Sequence, residues 1–146
     1  SYVSGDHFLM DAEEFRDFYN GFAIVPMKEY TKSAVNGFIL YDFQILESMK
    51  ITLLCNAESE LVESIVIIIP ASEIESGDGF IIPSIAILDH IVEGTYYSYG
   101  QLADICGMEN TENGYRSGTI DLNGSALYVS YSVYNEEGRL AFSCLE

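Results

Sequence analysis

The sequence predicts a single α+β domain in which an antiparallel sheet of about six strands carries three helices on one face. Apolar residues recur at helical spacing early in the chain and alternate with polar residues over much of the remainder. The length of 146 residues suits one domain. We expect a flexible segment over residues 1–10 and one domain over 11–146. Its halves, 11–70 and 78–146, would each place helical structure before three strands.

Three helices are expected from their capping and spacing. The first begins at Asp11, which forms a capping box with Glu14 three residues later. Its aromatic residues follow at i, i+3, i+4 and i+7, which places them on one core-facing stripe: Phe15, Phe18, Tyr19 and Phe22. The other two helices are predicted over 83–93 and 99–106, each followed by a glycine that suits a helix end.

Six strands are expected from alternation of apolar and polar residues. Asn36-Gly37 predicts a tight turn, and residues 27–36 before it are interpreted as a polar connection. The run Ile65–Ile69 is apolar on both faces, which predicts a central strand that is covered on both sides or lies in an interface. The predicted strands cover residues 38–46, 49–56, 61–69, 114–122, 125–134 and 139–145.

The charge balance restricts the possible partners. Six Lys and Arg residues stand against 23 Asp and Glu residues, giving a formal net charge of −17. Such a surface repels phosphate backbones and anionic membranes, so no nucleic-acid partner is predicted. A cationic protein partner, or solubility alone, explains the acidity. The longest apolar run, 65–69, is far too short to span a bilayer.

The beginning of the chain suggests export. It opens with Ser1 rather than Met, and residues 1–6 could be the end of a linker that followed an export signal or lipid anchor. We therefore expect a secreted or envelope-anchored protein, with a cytoplasmic location as the alternative.

No catalytic residue, metal or cofactor is predicted. Cys55, Cys106 and Cys144 lack the spacing of a zinc site, and either all three are buried small hydrophobic residues or two form a disulfide. Cys106, His90 and a nearby Asp could form a catalytic constellation on paper. His90 falls on the polar side of its predicted helix and Cys106 on the apolar side of its own, so these groups are not expected to converge.

Tyrosines are the predicted binding residues. Tyr128 and Tyr134 lie on the same face of one predicted strand, Tyr115 can join them from the neighbouring strand, and Tyr97 lies in the preceding loop. Exposed tyrosines are enriched at recognition surfaces. In the alternative interpretation this face is covered by the other half of the protein or only contributes cross-strand pairs.

Residues 83–146 resemble one module of the beta-lactamase inhibitory protein family and its outer-membrane lipoprotein relatives. The resemblance rests on a capped helix ending in glycine and on the segments of a β-meander: 98–107, 118–122, 127–131 and 135–140. It implies two short helices before an antiparallel meander. It also implies a secreted or envelope-anchored binding module rather than an enzyme.

Three functional hypotheses follow. The first is a secreted or envelope-tethered, non-enzymatic binding module. The second is a hydrolase whose site is assembled from scattered residues. The third is a structural domain that forms a homodimer through the 65–69 strand.

Overall fold

The structure is a computed structural model. It describes residues 2–27, 29–46, 48–73, 115–122 and 124–145, together with six single positions: 87, 90, 91, 101, 104 and 105. Strands hold 55 % of these residues.

The described elements form one large antiparallel sheet, one small hairpin and a helix. In chain order they are β1 (Val3–Ser4), β2 (His7–Phe8), α1 (Ala12–Asn20), β3 (Tyr30–Val35), β4 (Phe38–Gln44), β5 (Lys50–Asn56), β6 (Val62–Pro70), a 3-10 turn (Ala71–Glu73), β7 (Tyr115–Asp121), β8 (Ala126–Tyr134) and β9 (Glu137–Ser143). The large sheet has the order β3-β4-β5-β6-β9-β8-β7. Two meanders, β3 to β6 and β7 to β9, therefore join where β6 pairs with β9.

The prediction of an α+β fold with three helices and about six strands is wrong. One short helix with described ends, α1, accompanies a seven-stranded sheet and a two-stranded one. The predicted helices 83–93 and 99–106 lie largely outside the described residues; Ile87 and Ile91 are helical there and reach the core. The predicted equal halves are absent as well, because four strands of the sheet precede residue 74 and three follow residue 114.

Strand β3 was missed for a physical reason. Residues 27–36 were interpreted as a connection because they show no alternation of apolar and polar side chains. β3 lies at the edge of the sheet, and its side chains after Tyr30 are exposed on both faces. A strand that buries neither face leaves no period-two pattern in the sequence.

Helix α1 begins where its capping box predicts. The Asp11 side chain accepts a hydrogen bond from the Glu14 backbone N–H at 2.8 Å, and the Glu14 side chain accepts one from the Asp11 N–H at 3.1 Å. This reciprocal pair satisfies two of the N–H groups that every helix start leaves without a partner. Phe15 and Tyr19 are buried against the sheet.

The core lies against one face of the large sheet. On this face Ile51 of β5 pairs with Ile67 of β6, which pairs in turn with Leu140 of β9. Helix α1 contributes Phe15 to the same cluster. Each fully buried side chain of this kind contributes about 1.5–3 kcal/mol to folding. The predicted central strand is confirmed, since β6 is buried along most of its length.

The N-terminal segment also reaches this core. The stretch 1–10, expected to be flexible, contains the β1–β2 hairpin, in which Phe8 is 0 % exposed. The backbone N–H of Val62 donates to the Met10 carbonyl at 2.9 Å, which ties the segment to the start of β6.

Two hairpin turns have the positive φ angles that two-residue connections require. Asn36 and Gly37 have φ of 44° and 84°, and Asn135 and Glu136 have φ of 51° and 64°. Such turns match the twist of the strands that they join. Glu136 is unusual there, because a side chain in the left-handed region is strained.

Candidate binding surface on the open face of the sheet

The two faces of the large sheet differ in what covers them. Alternate residues of a strand point to opposite faces, so the neighbours of Ile65, Ile67 and Ile69 along β6 lie on the side away from the core. We call this side the open face. No open-face side chain belongs to the core cluster, to which α1 and the β1–β2 hairpin contribute within the described part of the chain.

A shallow groove of about 440 Å³ lies across the middle of the open face. Its lining comes from four neighbouring strands, β4, β5, β6 and β9, and only from open-face positions. The aliphatic part of the lining consists of Leu40, Leu54, Val66, Ile68 and Ala141. Ile68 is only 6 % exposed although it lies outside the core cluster, so most of its side chain is covered and only a small part of it reaches the groove.

Two cations flank the centre of the groove. Lys50 and Arg139 lie on either side of Ile68, each paired with it in register. The Arg139 guanidinium is already engaged, since its Nη2 lies 3.2 Å from Glu137 Oε1. Among the described residues, no carboxylate lies within ion-pairing distance of the Lys50 ammonium.

The remaining polar groups of the groove are satisfied within the sheet. The Thr52 hydroxyl donates to Asp42 Oδ1 at 2.5 Å. The hydroxyls of Ser64 and Ser143 lie 2.7 Å apart, and the Ser143 hydroxyl also contacts the Leu145 backbone. These polar groups already have hydrogen-bond partners within the sheet. Lys50 is therefore the charged side chain of the groove that remains to interact with a ligand.

Two of the tyrosines predicted to bind a partner, Tyr128 and Tyr134, do not converge. Tyr128 is half-buried and Tyr134 is 69 % exposed, and they lie near opposite ends of β8, roughly 20 Å apart at the usual rise per residue. The register pairs Tyr115 with Ser132. Tyr97 lies outside the described residues. The tyrosine site therefore stays a prediction, and the groove is a different part of the surface.

Sequence reasoning missed the groove although its pattern was visible. Val66 and Ile68 make the end of β6 apolar on the side away from the core, and this was recognised as a sign of cover on both faces or of an interface. The sequence pattern does not give the order of the strands in the sheet. Only the pairing of β6 with β9 brings Arg139 beside Ile68.

The two described cysteines are structural rather than reactive. Cys55 and Cys144 are both free and buried. Burial, helped by nearby carboxylates, raises the pKa of each thiol to about 12. Both thiols are therefore almost entirely in the protonated form at neutral pH, and a protonated thiol is a poor nucleophile. Cys106, on which the hypothetical catalytic arrangement with His90 depends, lies outside the described residues.

Glu63 is a buried carboxylate on the strand between these cysteines. Its Oε1 accepts a hydrogen bond from Asn56 Nδ2 at 3.2 Å, whereas Oε2 is buried without a hydrogen-bond partner. Within the described residues no group of three potential ligands is arranged to hold a metal ion. The His90 ring stacks on the Phe22 ring, with the two ring centroids 4.0 Å apart.

Within the described part of the chain, the fold and the groove define an antiparallel β domain with one side facing the core and one side outside the core cluster. None of the comparisons with protein-family models, curated proteins and solved structures finds a match. The resemblance of residues 83–146 to beta-lactamase inhibitory protein modules therefore stays a prediction. Of the helical residues that the structure describes, none belongs to a helix of the length and apolarity that a bilayer crossing requires.

Proposed function

We propose that this domain is a non-enzymatic binding module that takes up a protein partner on the open face of its sheet. One observation carries the proposal: the face holds a groove of about 440 Å³ with an aliphatic floor, and no core side chain belongs to it. Apolar surface at the centre of a polar rim is typical of protein interaction sites. The module is proposed to be secreted or envelope-tethered, which would place the partner outside the cytoplasm.

The shape of the groove favours a protein over a small molecule. Four strands contribute to it, so it is roughly 14 Å wide and 14 Å long at the usual strand spacing and rise. Small-molecule sites enclose most of their ligand, whereas this groove is broad and shallow. A polypeptide surface suits such a shape because many side chains can share the contact.

The predicted homodimer through the 65–69 strand stays a prediction, and it would require the faces of two sheets to pack against each other. β6 pairs with β5 along one edge and with β9 along the other. Both of its edges are therefore occupied, and a second copy cannot add to this strand by backbone pairing. For the alternative of a hydrolase, the two described thiols are poor candidate nucleophiles, because burial raises the pKa of each to about 12.

The proposal is tested by capture from an envelope fraction of the native organism with three immobilised baits. They are the wild-type domain, Ala141→Arg, which fills the groove, and Ile24→Glu, which alters a 97 % exposed aliphatic residue outside the sheet. We expect at least one protein to be retained by wild type and Ile24→Glu and lost with Ala141→Arg. Quantitative mass spectrometry of the eluates measures this.

Urea titration of each bait shows that it is folded before capture. If Ala141→Arg is folded and retains the same proteins as wild type, the open face is not the binding surface. If that variant is unstable, Thr52→Arg places the same bulk at another groove position and repeats the comparison.

A further inference from the structure

We infer that the groove accepts a polypeptide segment whose carboxylate lies between aliphatic side chains, and that this carboxylate pairs with the Lys50 ammonium. The inference rests on the proposed function and names the chemistry of the partner at the same surface.

The charge of the groove differs from that of the chain as a whole. Two of the six Lys and Arg residues of the sequence, Lys50 and Arg139, line it, against one carboxylate, that of Asp42. The chain as a whole has a formal net charge of −17. The groove therefore holds a larger share of cations than the chain as a whole, and complementary charge at an interface selects the partner.

Lys50 is the cation that remains for a partner. The Arg139 guanidinium has Glu137 at 3.2 Å, and Asp42 accepts the Thr52 hydroxyl, so these groups already have partners. Lys50 has no described carboxylate at ion-pairing distance. A carboxylate brought to this position would gain an ion pair without breaking one.

The neighbouring lining determines what flanks that carboxylate. Ile68 lies directly opposite Lys50 in register, and Val66 lies two residues further along β6. Side chains two residues apart on an extended segment are about 7 Å apart on the same side. A segment with an acidic residue at one position and an aliphatic residue two positions away therefore places the carboxylate at Lys50 and the aliphatic group over Val66.

The acidity of the rest of the protein limits the partner further. A segment with many carboxylates would be repelled by the surrounding surface, whereas a basic partner surface would be attracted to it. The partner that fits is thus a protein with a basic surrounding surface and a loop that carries a single carboxylate among aliphatic residues. This also agrees with the cationic partner expected from composition.

The test is a selection of displayed random 12-residue peptides on immobilised wild-type domain. We expect enriched peptides to contain Asp or Glu with an aliphatic residue two positions away. Lys50→Met should weaken their binding about tenfold, equivalent to about 1.4 kcal/mol. The matched control Lys32→Met removes a cation on the edge strand β3, which does not line the groove, and should leave binding unchanged. Fluorescence polarisation of the enriched peptides measures both.

A second selection on Lys50→Glu should enrich Lys or Arg in place of the acid. One result would overturn the inference but leave the proposed function standing. In that result the enriched peptides lack an acidic residue, bind Lys50→Met as tightly as wild type, and lose their binding to Ala141→Arg. Peptides that bind folded Ala141→Arg as tightly as wild type would count against the proposed function itself.

Discussion

At the scale of single residues, the thiols of Cys55 and Cys144 show how packing determines chemistry. Both lie on the core side of the sheet, where desolvation favours the neutral form and raises the pKa of each thiol to about 12. In an unfolded chain the thiol pKa lies near 9.0. The stabilisation is therefore complete below about pH 9 and is lost as the pH rises towards 12, because only the unfolded state releases the proton in that range.

We predict that the free energy of unfolding falls by a few kcal/mol between pH 8 and pH 11 because of these thiols. Urea titrations at the two pH values measure it. The double variant Cys55→Ala, Cys144→Ala should show a smaller fall, and this comparison separates the thiols from Tyr19, whose pKa burial also raises. Rapid alkylation of Cys55 and Cys144 in the native protein at pH 8, followed by peptide mapping, would contradict the prediction.

At the scale of secondary-structure elements, helix α1 shows how far periodicity alone can be followed. Its capping box and its aromatic spacing correctly predict the start of the helix and the burial of Phe15 and Tyr19, whereas Phe22 lies beyond the end of the helix at Asn20. The spacing treats the four aromatic residues as equals, yet the structure does not. Phe15 is 0 % exposed, whereas Phe18 is only partly buried and packs edge-on against Phe22, with ring centroids 5.3 Å apart.

We predict that Phe15→Ala lowers the free energy of unfolding by about 3–5 kcal/mol, as expected for a fully buried aromatic side chain. Phe18→Ala, on the same helix and with the same change of residue, should cost roughly half as much because part of its ring already meets water. Urea titrations of the two variants give the values. Equal losses would mean that the two rings are equally buried, in disagreement with the packing of α1.

At the scale of the whole molecule, the dominant feature is the net charge of −17. The 6 Lys and Arg residues are too few to pair with most of the 23 Asp and Glu residues, and two of the ion pairs that form, Asp6 with His7 and Glu137 with Arg139, are at least partly exposed to solvent. Exposed pairs contribute little to stability. Most carboxylates therefore repel one another without compensation, and this repulsion opposes the compact state.

We predict that sodium chloride stabilises the fold. Raising its concentration from about 0.02 M to about 0.5 M shortens the Debye length from about 20 Å to about 4 Å and screens the repulsion. The midpoint of urea unfolding should rise accordingly, and circular dichroism follows it. A lower midpoint at high salt would show that attractive rather than repulsive charge interactions dominate the folded state.

The limits of the sequence follow from the range over which each feature is encoded. The capping box of Asp11 with Glu14 and the Asn36-Gly37 turn are local features, and the structure confirms both. Edge strand β3 was missed because no face of it is buried, and the short strands β1 and β2 are too brief to show any period. The count of three helices is wrong, since one short helix with described ends, α1, accompanies the two sheets.

The sequence by itself determined the alternation of each main strand, the start of α1 and the central character of β6, because these depend on neighbours a few residues apart. Tertiary structure alone decided that β6 pairs with β9, that one face of the sheet remains outside the core, and that Lys50 and Arg139 flank Ile68. Strand order brings together residues about seventy positions apart. It depends on the combined burial of every strand, which no local pattern records.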